Sequence, residues 1–393
     1  MTGDSNRPSR PSRSTTSANS GDDDERIARL LLGRIGEPGD IALAKAIDDL
    51  GAVATVQRLR AGTLTHHGLV NLRARLGVAR PDRDLAAGAA VGARFVIPGD
   101  EEWPEQVNDL VRLGRRDASV PLGLWVRGPL DLRVACQRSV AVVGARASTA
   151  YGDYVASEFG IGLAERNWTV VSGGAFGIDG AAHRGALAGG GPTVAVLACG
   201  VDVAYPRGHA ALIDRIAQTG LVVSEWPPGC APMRYRFLVR NRVIAALTLG
   251  TVVVEAAIRS GALSTANRAR ELDRHIMAVP GPITSTMSKG TNQLLREPDV
   301  MCVTSVADVI DLVGLMGSDL APQLMMPLDP RDDLDDVSRR VLESVPVRRA
   351  VGPASIAVTA GIAPQQVLRC LGGLAARGFV ERVDAGWRLR RDG

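Results

Sequence analysis

The feature that most restricts the fold of this chain is an alternation between residues 137 and about 314, where short apolar runs recur between stretches of helix length. The runs are Val140 to Val143, Thr169 to Ser172, Thr193 to Leu197, Leu221 to Ser224, Thr251 to Val254 and His275 to Val279. Residues 151–166 and 208–218 are two of the intervening stretches. A strand that is apolar at nearly every position has to be covered on both faces. A helix between consecutive strands supplies both the cover and the crossover that parallel pairing needs. The pattern predicts an α/β chain with an extended, Rossmann-like, doubly wound parallel sheet.

The flanks have a different character. Residues 1–24 are mostly Ser, Thr, Arg, Pro and Asp with almost nothing to bury, and they read as a disordered tail. Residues 25–78 predict a small helical domain of the SAM or helix-hairpin-helix kind. Ile27, Leu30, Leu31 and Ile35 recur at helical spacing before a break at Gly36-Glu37-Pro38-Gly39, and further helices follow over 40–50, 53–60 and 66–76. Such a module either touches a DNA backbone or serves packing and interaction. Residues 79–136 form an extension to the central domain, with Trp103-Pro104 and a strand-like run from Leu122 to Gly128, so that domain is assigned 79–314. Gly, Pro and Asp punctuate 315–334, which reads as a linker. Residues 335–393 predict a winged helix. Helices run over Asp335 to Ser344, Pro353 to Thr359 and Pro364 to Ala376, and strands over Phe379 to Val383 and Trp387 to Arg390 follow, joined by Asp384-Ala385-Gly386. Modules of this order bind either DNA or protein.

Composition enters where partners are concerned. The net charge is +4 over 393 residues, a weakly basic balance compatible with a polyanionic partner. Of 46 basic residues only Lys45 and Lys289 are lysines, which fits either a GC-rich genome or the use of arginine as the bidentate phosphate ligand. No apolar run approaches the ~20 residues of a membrane helix, and the first residues carry no apolar signal core. Five scattered cysteines without a CxxC pair argue against a zinc site or a disulfide framework. A cytoplasmic protein with no metal, no cofactor and no membrane contact is expected.

Four segments carry candidate chemistry. After the first apolar run comes Gly144-Ala145-Arg146-Ala147-Ser148 and then a helix, an arrangement that presents free N–H groups to an anion. Ser172-Gly173-Gly174 follows the second run, where adjacent glycines admit a phosphate close to the backbone. Phe176 in the same loop either stacks on a base or packs. Asp179 and His183, four residues apart on one helical face, read as a hydrogen-bonded structural pair rather than a general base. The third strand exit leads to Tyr205-Pro206-Arg207, an aromatic beside a cation. The fourth segment holds Arg234, Arg236, Arg240 and Arg242 around Tyr235, Phe237 and Asn241, with no acid from Pro227 to Thr251. It predicts nucleic-acid or nucleotide contact. Farther on, Ser260 to Ala266 is a run of small and hydroxylated residues at a helix start, and Lys289 with its neighbouring N–H groups is placed to close over a phosphate.

In order and spacing, GARASTAYG, SGGAFGID, LACGVDVAYP, SEWPPG, FLVRNRVIA, VVVEAAIRSGALSTA and SKGTNQL resemble the signature blocks of the DNA-processing protein A (DprA/Smf) family over roughly residues 95–312. The resemblance implies sequence-nonspecific binding of single-stranded DNA, dimerisation, and help in loading RecA onto incoming DNA during natural transformation (competence), without catalysis. Three positions depart from the family pattern: His209 stands for Asn, Leu238 for Pro, and Phe176 for a basic residue, the last favouring stacking over a phosphate contact. The expectation is therefore a DNA-binding recombination mediator. Arg146, Arg207, Arg240, Arg242 and Lys289 would neutralise phosphates. N–H groups around Gly144, Gly173 and Gly174 would add donors. Phe176 or Tyr205 would stack, and Ser148, Ser172 and Asn241 would complete the surface. Two rivals remain. One is a nucleotide phosphoribohydrolase using Glu255, against which stands the absence of a PGGxGTxxE-type loop. The other is a winged-helix regulator whose central domain senses a nucleotide.

Overall fold

The computed structural model describes residues 18–64, 69–113, 119–314, 331 and 334–390. The chain divides into two units, Met1–Ala321 and Pro322–Gly393.

The first unit is built on nine strands: β1 (Ala93–Val96), β2 (Leu124–Arg127), β3 (Ser139–Val143), β4 (Thr169–Ser172), β5 (Thr193–Leu197), β6 (Leu221–Ser224), β7 (Gly250–Val253), β8 (His275–Ala278) and β9 (Val300–Cys302). Their order is β1-β2-β6-β5-β4-β3-β7-β8-β9. Seven strands from β6 to β9 pair in parallel, while β2 pairs antiparallel with β6, and β1 antiparallel with β2. All six apolar runs are strands, so the doubly wound α/β class holds. The strand-like run from Leu122 to Gly128 is β2, which extends the sheet. β9 had no signal in the sequence, because only three residues pair and two of them are exposed.

Successive residues of a strand face opposite sides of the sheet, and here both sides are buried. Val140 and Val142 of β3 meet one core, Ala141 and Val143 the other. The first core is filled by α7 (Ala150–Ala164), α8 (Ile178–Ala188) and α13 (Val306–Val313). The second is filled by α6 (Leu132–Gln137), α10 (Arg234–Leu247) and α11 (Gly261–Glu271). Toward the β6 end, α9 (Ala210–Thr219) packs Ile213 and Ile216 against Leu197 and Val222. Each fully buried aliphatic side chain contributes about 1.5–3 kcal/mol. α12 (Lys289–Leu294) lies between β8 and β9 in sequence.

The N-terminal helices are α1 (Ala18–Ile35), α2 (Ile41–Leu50), α3 (Ala52–Ala61), α4 (Val70–Leu76) and α5 (Pro81–Ala90). Leu31, Leu32, Ile35, Leu43, Ile47 and Leu59 form their core. α2 starts where the Asp40 carboxylate accepts from the Ala42 and Leu43 N–H groups, which the helix itself leaves free. α1 begins at Ala18, within the span predicted as a tail. Within this helix Arg29 reaches Glu25 one turn back at 2.7 Å. Residues 1–17 of the predicted tail lie outside the described residues, as does nearly all of the predicted 315–334 linker.

The second unit contains α14 (Asp336–Glu343), α15 (Pro353–Ala360), α16 (Pro364–Ala376) and the antiparallel strands β10 (Val380–Val383) and β11 (Gly386–Leu389). Val341, Ile356, Val367, Leu371 and Val380 make its core, with Phe379 and Trp387 packed against it. The order of elements is the one the sequence predicts. Gly361 ends α15 in the left-handed region, at φ +65°, so the chain turns into α16 without the strain a side chain would bring.

Candidate nucleic-acid interface

In the sheet order, β3 has β4 on one side and β7 on the other, and the chain winds outward in both directions from this point. Two neighbouring crossovers leave on opposite faces there, opening a crevice beyond the carboxyl ends of the strands. A cavity of about 840 Å³ occupies it. One wall is the β3–α7 turn from Gly144 to Ala147, another is the first half of α10, and a third is Arg259 with the start of α11. Arg146, Arg234, Arg240 and Arg259 line the cavity against a single carboxylate, Asp179, so its field is positive.

Arg240 is the deepest of these, 5% exposed. Its guanidinium donates to the carbonyl oxygens of Gly173 (2.8 Å) and Val196, and to Asn241 Oδ1 at 3.2 Å. Burial pushes its pKa down to about 10, and Asp179 opposes the shift. Burial likewise raises Asp179, against the pull of Arg240. Gly173 is where this arginine fits: a Cβ there would lie 2.3 Å from Arg240 Nη2. The predicted role of the Gly173 N–H as a phosphate donor is corrected by this geometry, because it donates to Asp179 Oδ2 at 3.1 Å.

Arg146 is exposed, and its guanidinium carbon lies 4.7 Å from the centroid of the Phe237 ring. Tyr205, 39% exposed, tilts against the same ring at 5.5 Å. Phe237, one of the aromatics interleaved with the arginines of α10, therefore anchors an open aromatic and cationic surface. Gly144 and Asn241 also line the cavity. Asn241 acts as scaffold, donating from Nδ2 to Gly261 O at 3.2 Å and so fixing the start of α11.

Other predicted residues lie elsewhere. Arg242 is fully buried in a bidentate pair with Glu225 (2.6 and 2.7 Å), so it is no phosphate ligand. Arg236 is likewise spent on Glu37 at 2.7 Å. Ser172 is buried and donates to Val142 O at 2.6 Å, and Ser148 donates to Asp153. Arg207 and Lys289 are exposed but do not line the cavity. Phe176 also lies off it, half-exposed and edge-on to His209 at 4.7 Å. His209 Nδ1 donates to the Gly174 carbonyl at 3.1 Å, which fixes the tautomer because that oxygen can only accept.

Asp179 and His183 are not the bonded pair the sequence predicts. Asp179 accepts from the Gly173 and Ala175 N–H groups. His183 faces Thr193 Oγ1 at 2.7 Å, and burial pushes its pKa down to about 3. Glu255, the one carboxylate a hydrolase reading needs, is buried and accepts from the N–H and hydroxyl of Thr149 at 2.9 and 2.6 Å. It holds the start of α7. Among the described residues no group of His, Cys, Asp and Glu is placed to hold a metal ion, and no helix is long and apolar enough to cross a membrane.

The family model described as DNA recombination-mediator protein A matches residues 94–314, which include every residue lining the cavity. A putative DNA processing protein DprA of Mycobacterium tuberculosis (strain CDC 1551 / Oshkosh) is 44% identical over 366 residues, 92% of this chain and 94% of that one. Protein Smf of Escherichia coli (strain K12) is 36% identical over 302 residues, 75% of this chain and 78% of that one. The crystal structure of DNA processing protein A from Streptococcus pneumoniae superposes with a TM-score of 0.62 at 30% identity, covering 74% of this chain and 98% of that one.

Proposed function

This chain belongs to the DNA recombination-mediator protein A family, and from that premise we propose that it binds single-stranded DNA at the switch-point cavity with little sequence preference. The observation that carries the reading is the cavity wall itself. Four arginines face one carboxylate beside the Arg146–Phe237–Tyr205 stack. Arginines neutralise phosphates, and exposed aromatic faces accept any base. Duplex DNA keeps its bases stacked and offers such faces nothing. No bond is made or broken in this reading, because the Glu255 carboxylate is committed to Thr149.

The wider biology is proposed on family membership. It comprises a cytoplasmic homodimer that passes incoming single strands to RecA in natural transformation. We read the second unit as a winged helix that is not the main single-strand site. Its α16 presents Gln365, Gln366 and Arg369 to solvent, groups suited to a duplex groove.

A mobility-shift series with one sequence in single-stranded and duplex form tests the central claim. The single strand should bind more tightly, with log K falling against log salt by about 0.7 for each phosphate contacted. Arg146→Ala, at an exposed position, should weaken binding without unfolding the protein. Equal affinity for duplex, or affinity indifferent to salt, overturns the reading.

A further inference from the structure

We propose that the start of α11 is a phosphate subsite of the cavity, built from Arg259, the Gly261 N–H and the Thr265 hydroxyl. The proposal rests on the single-strand reading and deepens it, adding residues that none of the four predicted segments assigned to binding.

Ser260 caps α11 by accepting from the Ala262 N–H. Ser260 N–H and Leu263 N–H have backbone acceptors in the same turn, whereas Gly261 N–H has none among the described residues. A free N–H at the first position of a helix, with the positive end of the dipole behind it, favours an anion. Gly261 and Thr265 are four residues apart and so share a helical face, and both line the cavity.

Thr265 is the second, independent indication. It is 2% exposed, yet its hydroxyl has no hydrogen-bond partner among the described residues. The oxygen itself is not sealed in the core: what little of the residue is exposed includes that hydroxyl, which opens on the cavity. Threonines in helices commonly return this hydrogen bond to their own backbone, as Thr248 and Thr359 do here. Thr265 does not, and the cavity is the space it faces. Arg259, at the same rim, is exposed and makes no ion pair among the described residues. Asn241 holds the Gly261 carbonyl, so the subsite is fixed to the helix that carries Arg240. A cation, a helix N-terminus and a hydroxyl donor around one space are complementary to a phosphodiester oxygen pair.

The test measures anisotropy of a labelled oligothymidylate with the full chain, in parallel with a strand whose backbone is uncharged methylphosphonate. Thr265→Val should weaken binding of the phosphodiester strand roughly tenfold or more, the effect of losing a hydrogen bond to a charged group. Thr265→Ser should restore it. With the methylphosphonate strand Thr265→Val and the parent chain should bind alike. Arg259→Gln should reduce the salt slope by about 0.7. If the parent chain binds the strand while Thr265→Val and Arg259→Gln match it in affinity and slope, the subsite is wrong and the single-strand reading stands. If the parent chain itself does not bind, the single-strand reading fails and the subsite with it. Should Thr265→Val not fold, the slope of Arg259→Gln decides, since that side chain is exposed and makes no hydrogen bond or ion pair among the described residues.

Discussion

Glu225→Ala should destabilise the first unit severely while leaving the nucleic-acid cavity chemically intact. The Arg242 guanidinium donates to both carboxylate oxygens of Glu225, with the two side chains 0% and 4% exposed. Removing the carboxylate leaves a buried cation with only the Ser119 and Val239 carbonyls as partners among the described residues. Breaking one side of such a pair costs about 3–5 kcal/mol, whereas replacing both partners by apolar groups is often neutral. That cost is a large share of the roughly 5–15 kcal/mol by which a domain is stable.

Urea melts followed by tryptophan fluorescence report on this unit, because Trp103, Trp125, Trp168 and Trp226 are all buried in it. Glu225→Ala should lower the midpoint at unchanged slope, and Glu225→Leu with Arg242→Met should recover most of the loss. At a temperature where both are folded, the double variant should bind single strands like the parent chain. A single variant within about 1 kcal/mol of the parent would refute the reasoning. So would an Arg242→Met chain that keeps its stability and loses its DNA affinity, since Arg242 would then be a phosphate ligand.

Three further outcomes follow from particular contacts. Gly173→Ala places a Cβ 2.3 Å from Arg240 Nη2, so it should displace the guanidinium and weaken single-strand binding about tenfold or more, read by anisotropy. His183 has its pKa lowered by burial from 6.5 to about 3, so its neutral form stabilises the fold above pH 6.5 and that contribution is lost as pH falls toward 3. The loss has a slope of up to about 1.4 kcal/mol per pH unit, which His183→Gln should remove from acid melts. Truncation after Val313 should leave single-strand affinity within about tenfold, or 1.4 kcal/mol, and a larger loss would move the main site into the second unit.

The strands were legible because parallel strands covered on both faces are apolar throughout, leaving little room for error. β4, β5 and β6 have the limits that the apolar runs give, β7 is shifted by one residue and β8 is one residue shorter. The extension was less legible: β1 pairs only with β2 and has two half-buried residues, so its hydrophobic signal is diluted. Gly144, Arg146 and Tyr205 were legible as candidate residues because strand exits and small-residue turns mark the carboxyl edge of the sheet, and Arg240 and Asn241 because of the arginine cluster without acids. Thr265 and Arg259 were not. Nothing in the sequence says that a threonine one turn into a helix lacks the usual acceptor.

The arginines of α10 show why charge counted along a sequence is a weak guide to charge in a site. No acid occurs between Pro227 and Thr251, so the cluster looks unopposed. In the fold the acids arrive from elsewhere, Glu37 onto Arg236 and Glu225 onto Arg242. Each of those pairs is close to neutral at any distance and contributes little field at the cavity. Arg240 differs in what it donates to: two carbonyl oxygens and an amide oxygen, which engage Nε and Nη1 without cancelling its charge. Asp179 is its nearest carboxylate influence, but the same burial that lowers Arg240 raises Asp179 and weakens that opposition. Desolvating an arginine without a carboxylate is unfavourable in the free protein, and an anion entering the cavity relieves it. The arginine of α10 that is hydrogen-bonded only to neutral groups is thus the one whose burial becomes favourable when a phosphate is present.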